Sequence, residues 1–181
     1  MSKEENIIEL FYNEPTRQWH FEEILKKAKI SRPQADSWLK KFLKENLIKR
    51  IKPKKKMPYY LANYENPNYQ SKKKIFALMQ MEKIGFLAHL TEMQKDSTII
   101  LFGSMARWDW HKESDIDLFV YGDASGLKLG RYELRLGREV QLFECKTPEE
   151  LGKFSNGLLK NIIKGNIITG NLDFIKVTIN D

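Results

Sequence analysis

The sequence is poor in several features, and each shortage excludes a class of protein. Only one of its 181 residues is a cysteine, Cys145, which excludes an intramolecular disulfide framework and a cysteine zinc cluster. Ten glycines and six prolines are too few for a collagen-like or low-complexity chain. No apolar run approaches the roughly 20 residues that a membrane helix needs, and the N-terminal segment MSKEENIIEL lacks the layout of a signal peptide. We therefore expect a globular cytoplasmic protein with no membrane partner.

Positive charge is concentrated in the first half of the chain. The net charge is +7, but residues 1–75 hold 18 Lys and Arg against 9 Asp and Glu, whereas residues 76–181 hold 13 against 15. The excess is densest in residues 25–56, which contain 13 basic residues and two acidic ones. Such asymmetry predicts two domains with different partners, the first of them suited to a polyanion.

The first half shows an ordered series of predicted elements. Two helices with apolar stripes are followed by Ser31 and Gln34, whose spacing forms a capping box at the start of a third helix. Strand-like runs at 47–51 and 59–62 then flank a lysine-rich segment, KPKKKMP, which we call the basic turn. This order is typical of a winged helix-turn-helix, and we assign residues 1–66 to such a DNA-binding domain.

Polar and basic side chains on this domain are candidates for contact with double-stranded DNA. The third helix buries one face and offers the other to a groove, while the basic turn would lie beside phosphates. The alternatives are a solvated helix face, a glutamine that only caps its own helix, and a winged helix that binds a protein. The candidate DNA-binding residues are Gln34, Ser37, Lys40, Lys41 and Lys44 on the helix and Lys54, Lys55 and Lys56 in the turn.

Three further helices are predicted after this domain. Residues 67–92 form a connecting segment with a helix over 72–90, which packs on the second domain or forms a dimer seam. Within the second domain, residues 93–181, we expect a helix over 125–136 and a helical stretch that starts after Thr147 and continues through 156–164.

The second domain contains two neighbouring motifs whose residues could take part in chemistry. A buried-strand pattern at 98–102 runs directly into Gly103, where a backbone without a side chain allows close approach to a phosphate. Asp115 and Asp117 lie on one face of the next predicted strand, two residues apart. Such a like-charge pair is costly unless a cation lies between the carboxylates, and magnesium held by carboxylates and substrate phosphates meets that need.

Together these motifs, LFGSMAR and SDIDLFVYG, resemble the signature of the minimal nucleotidyltransferases of the DNA polymerase beta-like superfamily, over roughly residues 95–175. The resemblance implies a small α/β domain with a mixed sheet, so that the whole chain is of the α+β class. It also implies Mg²⁺ or Mn²⁺, a nucleoside triphosphate, and attack of an acceptor hydroxyl on the α-phosphate with pyrophosphate leaving. The residues it assigns are Gly103, Ser104 and Arg107 for nucleotide binding, and Asp115 and Asp117 as catalytic metal ligands.

One position departs from the family pattern. The family usually adds a third carboxylate on a later strand, and the matching run here, GREVQLFE, holds Gln141 at that position. An amide brings no negative charge and cannot act as a general base at neutral pH. By strand parity Glu139 shares the face of Gln141 and is the candidate substitute, whereas Glu144 lies on the opposite face.

The loop between the two motifs contains Trp108 and Trp110. Their indoles either stack on a nucleotide base or pack within the loop, and the sequence leaves both interpretations open. His111 in the same loop is expected to be exposed, whereas His89 is interpreted as structural.

These patterns support three hypotheses. The leading one is a metal-dependent nucleotidyltransferase, acting on an unknown acceptor and tethered to a DNA-binding domain. The second is a transcription regulator whose second domain binds nucleotide without turnover, which Gln141 favours. The third follows from the resemblance, since minimal nucleotidyltransferases often serve as antitoxins that modify or bind a helical toxin. A homodimer is compatible with the first half, because winged helices commonly read two half-sites.

Overall fold

The chain divides into two compact units. The computed structural model describes residues 2–93 and 97–175. The first unit comprises Met1–Ile75 and the segment Trp108–Glu113, and the second comprises Phe76–Arg107 and Ser114–Asp181. In the described part of the chain, no helix combines the length and the apolar character needed to cross a membrane.

The first unit has the order of elements that the sequence predicts. Its two strands pair antiparallel, with Ile48 opposite Ala62, and the backbones of Trp19 and Tyr60 exchange two hydrogen bonds of 2.9 Å beside them. The elements are α1 (Lys3–Asn13), α2 (Phe21–Ala28), α3 (Arg32–Lys44), β1 (Ile48–Ile51) and β2 (Tyr59–Ala62).

Capping and a small aromatic core explain why these helices form where they do. The capping box predicted for α3 is present, because Gln34 Oε1 accepts a hydrogen bond of 3.2 Å from the Ser31 backbone N–H. Phe11 and Trp19 are fully buried and meet edge to face, with ring centroids 6.5 Å apart. The apolar faces of the three helices therefore close over a core that is continuous with the two strands.

The prediction of one helix over 72–90 is wrong in one respect, because the structure contains two helices there. The first, α4 (Pro67–Lys83), and the second, α5 (Phe86–Met93), are separated at Gly85. Gly85 has a φ of +75°, in the left-handed region where glycine carries no steric penalty. The apolar periodicity continued across this break and concealed it.

The second unit is built on a mixed sheet, as the family resemblance implies, and this sheet has four strands. Its strand order is β5-β4-β3-β6, with β3 antiparallel to β4 and β6, and β4 parallel to β5. Phe102, Phe119 and Ile162 belong to the buried core beneath the sheet. The elements are β3 (Thr98–Phe102), α6 (Gly103–Ala106), β4 (Ile116–Tyr121), α7 (Gly130–Leu136), β5 (Val140–Cys145), a 3₁₀ helix (Pro148–Lys153), α8 (Asn156–Ile163) and β6 (Asn166–Thr169).

Two helices of this unit are shorter than expected. The helix predicted over 125–136 begins only at Gly130, since a turn with a hydrogen bond from Leu127 N–H to the Ala124 carbonyl precedes it. The stretch after Thr147 is a 3₁₀ helix rather than the start of α8, which has its own N-cap at Ser155. Both differences arise from local turns that interrupt an otherwise helical pattern.

The burial of His89 on α5 predicts a pH-dependent stability of the second unit. Its ring is almost buried and stacks on Tyr132, with centroids 5.0 Å apart. Burial, together with the positive charges of Arg131 and Lys128, lowers the pKa of His89. The folded state therefore favours the neutral ring, so this contribution to stability is complete above the unfolded-state pKa of about 6.5 and is lost as the pH falls towards the folded-state pKa.

We expect the free energy of unfolding of the wild type to fall more steeply than that of His89→Gln between about pH 7.5 and about pH 5.5, across the ordinary histidine pKa. Urea unfolding of both proteins at the two pH values measures this difference. His20 and His111 remain in both proteins and serve as internal controls. Equal losses in the two proteins would show that the His89 ring titrates as it does in the unfolded chain.

Candidate functional site

Gly103 and Asp117 are fitted to each other at the end of β3. Asp117 on β4 lies opposite Phe102 in the antiparallel ladder, so its side chain reaches the next residue, Gly103. A Cβ atom on Gly103 would lie 1.9 Å from Asp117 Oδ2 and 2.8 Å from its Cγ, and the φ of Gly103 is +69°. Glycine is therefore required at this position both for its backbone conformation and for the space that the carboxylate occupies.

The electrostatics of Asp117 indicate that a positive charge is favoured beside it. Asp115 directly precedes β4, and both aspartates are partly buried. Burial is the largest cause of a raised pKa of Asp117, and repulsion by Asp115 adds to it, while the exposed Arg107 acts in the opposite direction. A cation between the two carboxylates would relieve this repulsion and stabilise their ionised forms.

Gln141 lies beside the aspartates, on the neighbouring strand. The parallel register of β4 and β5 places Gln141 next to Asp117. Its amide nitrogen, Nε2, donates a hydrogen bond of 2.6 Å to Asp115 Oδ2. Gln141, which the resemblance aligns with a third carboxylate, is thus an amide that already donates a hydrogen bond to Asp115.

Neither nearby glutamate completes a set of three carboxylates. Glu144 Oε1 accepts a hydrogen bond of 2.8 Å from the Ala124 N–H and lies 3.5 Å from Lys146 Nζ, on the other face of the sheet. Glu139 is exposed at the start of β5. Among residues 2–93 and 97–175, no group of three or more His, Cys, Asp or Glu side chains could hold a metal ion. The suggestion that Glu139 substitutes as a third metal ligand therefore finds no support.

Arg138 contributes a contact that the sequence does not reveal. Its Nη1 donates a hydrogen bond of 2.6 Å to the carbonyl of Ser114, the residue before Asp115. The Ile116 N–H donates to the Glu139 carbonyl at 2.9 Å. The segment that carries the aspartates is consequently fixed by the residues directly before β5.

The oxygen donors of this site suit a hard divalent cation. Asp115 and Asp117 supply two carboxylates, and magnesium in such sites is usually held by one or two carboxylates together with waters and substrate phosphates. The close fit of Gly103 places the Asp117 carboxylate against the glycine backbone, so a cation at this carboxylate would lie beside backbone N–H groups that can donate to a phosphate. These residues therefore fit Mg²⁺ or Mn²⁺ with a bound triphosphate.

On α3, three of the five candidate DNA-binding residues have intramolecular partners. Lys40 Nζ lies 2.7 Å from Asp36, and Lys41 Nζ lies 2.8 Å from Glu4, and each ion pair raises the pKa of its lysine. Gln34 is engaged in its own capping box. The alternative of a solvated, self-paired helix face therefore describes these three residues well.

The other candidates present free charge or polarity. Ser37 and Lys44 are exposed on α3, and the lysines of the basic turn are exposed as well. In the part of the chain that the structure describes, Lys44, Lys54, Lys55 and Lys56 form no ion pair. The density of unpaired positive charge is therefore higher in the basic turn than on the helix.

Trp110 is a packing residue of the first unit. It is 2% exposed, and its ring meets Tyr12 edge to face with centroids 6.1 Å apart. The buried Lys73 donates a hydrogen bond of 2.5 Å from Nζ to the Trp110 carbonyl and lies 4.5 Å from the indole centroid. Of the two interpretations of this loop, packing is therefore correct for Trp110, while Trp108 is partly exposed.

Comparison with known proteins agrees with the geometry of the second unit. Residues 87–172 match the model of the family described as Polymerase beta, Nucleotidyltransferase. This range includes Gly103, Asp115, Asp117 and Gln141, whereas residues 1–86 lie outside it. No match was found among curated proteins or among solved structures. The similarity supports a nucleotidyltransferase domain of this family in residues 87–172.

Proposed function

We propose that the protein is a metal-dependent nucleotidyltransferase that transfers a nucleoside monophosphate from a nucleoside triphosphate to an acceptor. The observation that carries this proposal is the fit of Gly103 against Asp117, next to Asp115, within the range that matches the family. If Gly103 served only to form a turn, no carboxylate would be needed in the space that its missing side chain leaves. A pair of carboxylates placed at a glycine backbone suits the joint binding of a cation and phosphates.

Each residue of the site has a role in this proposal. Asp115 and Asp117 would hold the ion, Gly103 and Ser104 would contact the terminal phosphates through their backbone, and Arg107 would offset phosphate charge. A bound ion would neutralise the charge that develops on the transferred and leaving phosphates. The oxygen of an acceptor hydroxyl would form a bond to the α-phosphorus while the bond from that phosphorus to the bridging oxygen breaks. Pyrophosphate leaves, and the hydroxyl proton passes to water, because Gln141 is not a base.

Calorimetry tests whether the aspartates form a nucleotide site. ATP, GTP, CTP and UTP are titrated with magnesium into the wild type and into an Asp115→Asn/Asp117→Asn variant whose fold has been verified. We expect at least one nucleotide to bind only with the metal and only to the wild type. Asp173→Asn makes the same chemical change at an exposed site and should bind as the wild type does. Failure of all four nucleotides to bind would exclude the proposed activity.

A second function is favoured by one specific observation, the amide of Gln141 at the position of the third carboxylate. A domain without that carboxylate lacks a general base, so it could bind nucleotide or a partner as a transcription regulator or an antitoxin without turning nucleotide over. Transfer of the label from an α-labelled nucleotide to an acceptor in cell extract distinguishes the two functions. Binding without such transfer would favour the regulator.

We further propose that residues 1–66 are a winged helix-turn-helix that tethers this activity to double-stranded DNA. The order of three helices and an antiparallel strand pair supports it, as do the exposed lysines between the strands. We expect more of the phosphate contacts to come from the basic turn than from α3, because Lys40 and Lys41 are already paired with acidic side chains.

Substituting the basic turn should therefore change the salt dependence of DNA binding. If Lys54, Lys55 and Lys56 each contact a phosphate, their replacement by glutamine should reduce the slope of log K against log salt by about 2.7, since each phosphate contributes about 0.9. Fluorescence anisotropy with a labelled duplex, from about 50 to about 200 mM salt, measures this slope. Lys40→Gln is the matched control and should change it little. An equal effect of the control, or an unchanged slope in the triple variant, would contradict the role of the turn.

A further inference from the structure

The amide of Gln141 has a fixed orientation towards Asp115. An ionised carboxylate only accepts hydrogen bonds, so the side of the amide that faces Asp115 Oδ2 at 2.6 Å must be the NH₂ group. That group presents positive partial charge to the face of the sheet on which Asp115 and Asp117 lie. Because these hydrogens occupy the side of Asp115 Oδ2 that faces Gln141, a cation cannot bind on that side.

The two carboxylates of the site match the charge of one divalent ion. Enzymes that use two metal ions place them about 3.5–4 Å apart, so carboxylates and substrate phosphates together must offset four positive charges at that distance. Asp115 and Asp117 supply two negative charges, Gln141 supplies none, and no third carboxylate joins them among the described residues. Arg107 adds a positive charge that acts on Asp117.

The contacts around Asp115 also restrict its movement. Arg138 holds the Ser114 carbonyl, the Glu139 carbonyl accepts from Ile116 N–H, and Gln141 holds the Asp115 carboxylate itself. Ser114, Ile116 and the Asp115 side chain are thus each held by a hydrogen bond to a residue at or directly before the start of β5. A carboxylate fixed in this way can ligate an ion with its second oxygen without losing further rotational freedom.

We propose that Gln141 is a positioning residue that orients Asp115 and restricts this site to a single divalent cation per bound nucleotide. The inference rests on the proposed function, because it assumes that a metal ion and a nucleotide bind at the aspartates. Replacement of the amide by a carboxylate, Gln141→Asp, would remove the N–H donors and add the missing charge, and so create the place for a second ion.

Counting bound Mn²⁺ tests this proposal without measuring activity. The probes are Mn²⁺ and a non-hydrolysable ATP analogue at saturation, with free Mn²⁺ followed by electron paramagnetic resonance. We expect one ion per bound nucleotide in the wild type and two in Gln141→Asp. Gln141→Ala should retain one ion but bind it about tenfold more weakly, since a hydrogen bond to a charged group has been lost.

Glu139→Gln is the matched control, because it alters the acid directly before β5 and should leave both the number of ions and their affinity unchanged. Two ions in the wild type, one ion in Gln141→Asp, or weaker binding in Glu139→Gln would each overturn the proposal. Absence of any bound analogue in the wild type would instead overturn the proposed function, and the inference with it. The two failures are therefore distinguishable.

Discussion

Gly103→Ala is expected to abolish metal-dependent nucleotide binding. The new Cβ would lie 1.9 Å from Asp117 Oδ2, so the carboxylate would have to rotate away. The backbone of Asp117 cannot shift to compensate, because it is paired with Phe102 on one side and Gln141 on the other. Loss of contacts around a metal ligand typically weakens metal binding 10–100-fold, so displacement of a ligand itself should weaken nucleotide binding by about 100-fold or more. Titration calorimetry with magnesium measures this loss.

Gly85→Ala is the control that separates the collision of the new Cβ with Asp117 from the backbone strain of an alanine with positive φ. Gly85 has a similar φ of +75°, but nothing lies within 4 Å of the position that its Cβ would take. Both substitutions should cost about 1–2 kcal/mol of stability for an alanine in the left-handed region. Only Gly103→Ala should also lose nucleotide binding. Equal nucleotide affinities in the two variants would show that Asp117 is not held against Gly103 for this purpose.

The strands that carry the candidate site could be predicted from the sequence, because their signals are local. Strand parity placed Asp115 and Asp117 on one face, and the apolar run before Gly103 marked the buried strand that ends there. The family pattern pointed to Gln141, and the parallel register then places that residue beside Asp117. The hydrogen bond from its amide to Asp115 could not be predicted, because it depends on the distance between two strands that are far apart in the chain.

The properties that the sequence missed depend on long-range contacts or on competing local signals. The Lys40–Asp36 pair has the i, i+4 spacing that a sequence reveals, but Lys41 pairs with Glu4, which lies on another helix. Gly85 ends α4 although the apolar stripe continues past it, so periodicity outweighed the glycine in the prediction. The inclusion of Trp108–Glu113 in the first unit has no local signal at all.

Trp110→Ala is expected to destabilise the first unit by about 3–5 kcal/mol, the range for removal of a buried aromatic side chain. The substitution would leave a cavity beside Tyr12 and remove the ring that faces the buried ammonium of Lys73. A buried charge that loses its favourable surroundings adds to the cost of the cavity. Urea unfolding, followed by the fluorescence of the remaining tryptophans of the unit, Trp19, Trp38 and Trp108, measures the effect.

Trp108→Ala is the matched control for this substitution, because it removes the same side chain from the same segment at a partly exposed position. We expect it to cost about 1 kcal/mol or less, since little packed surface is lost. Trp110→Phe should fall between the two, because a smaller ring retains part of the contact with Tyr12 and Lys73. If Trp110→Ala and Trp108→Ala destabilise the unit equally, Trp110 is not the anchor of this segment. A larger loss in Trp110→Ala, with partial recovery in Trp110→Phe, would show that the loop between the two motifs of the site is held by the core of the first unit.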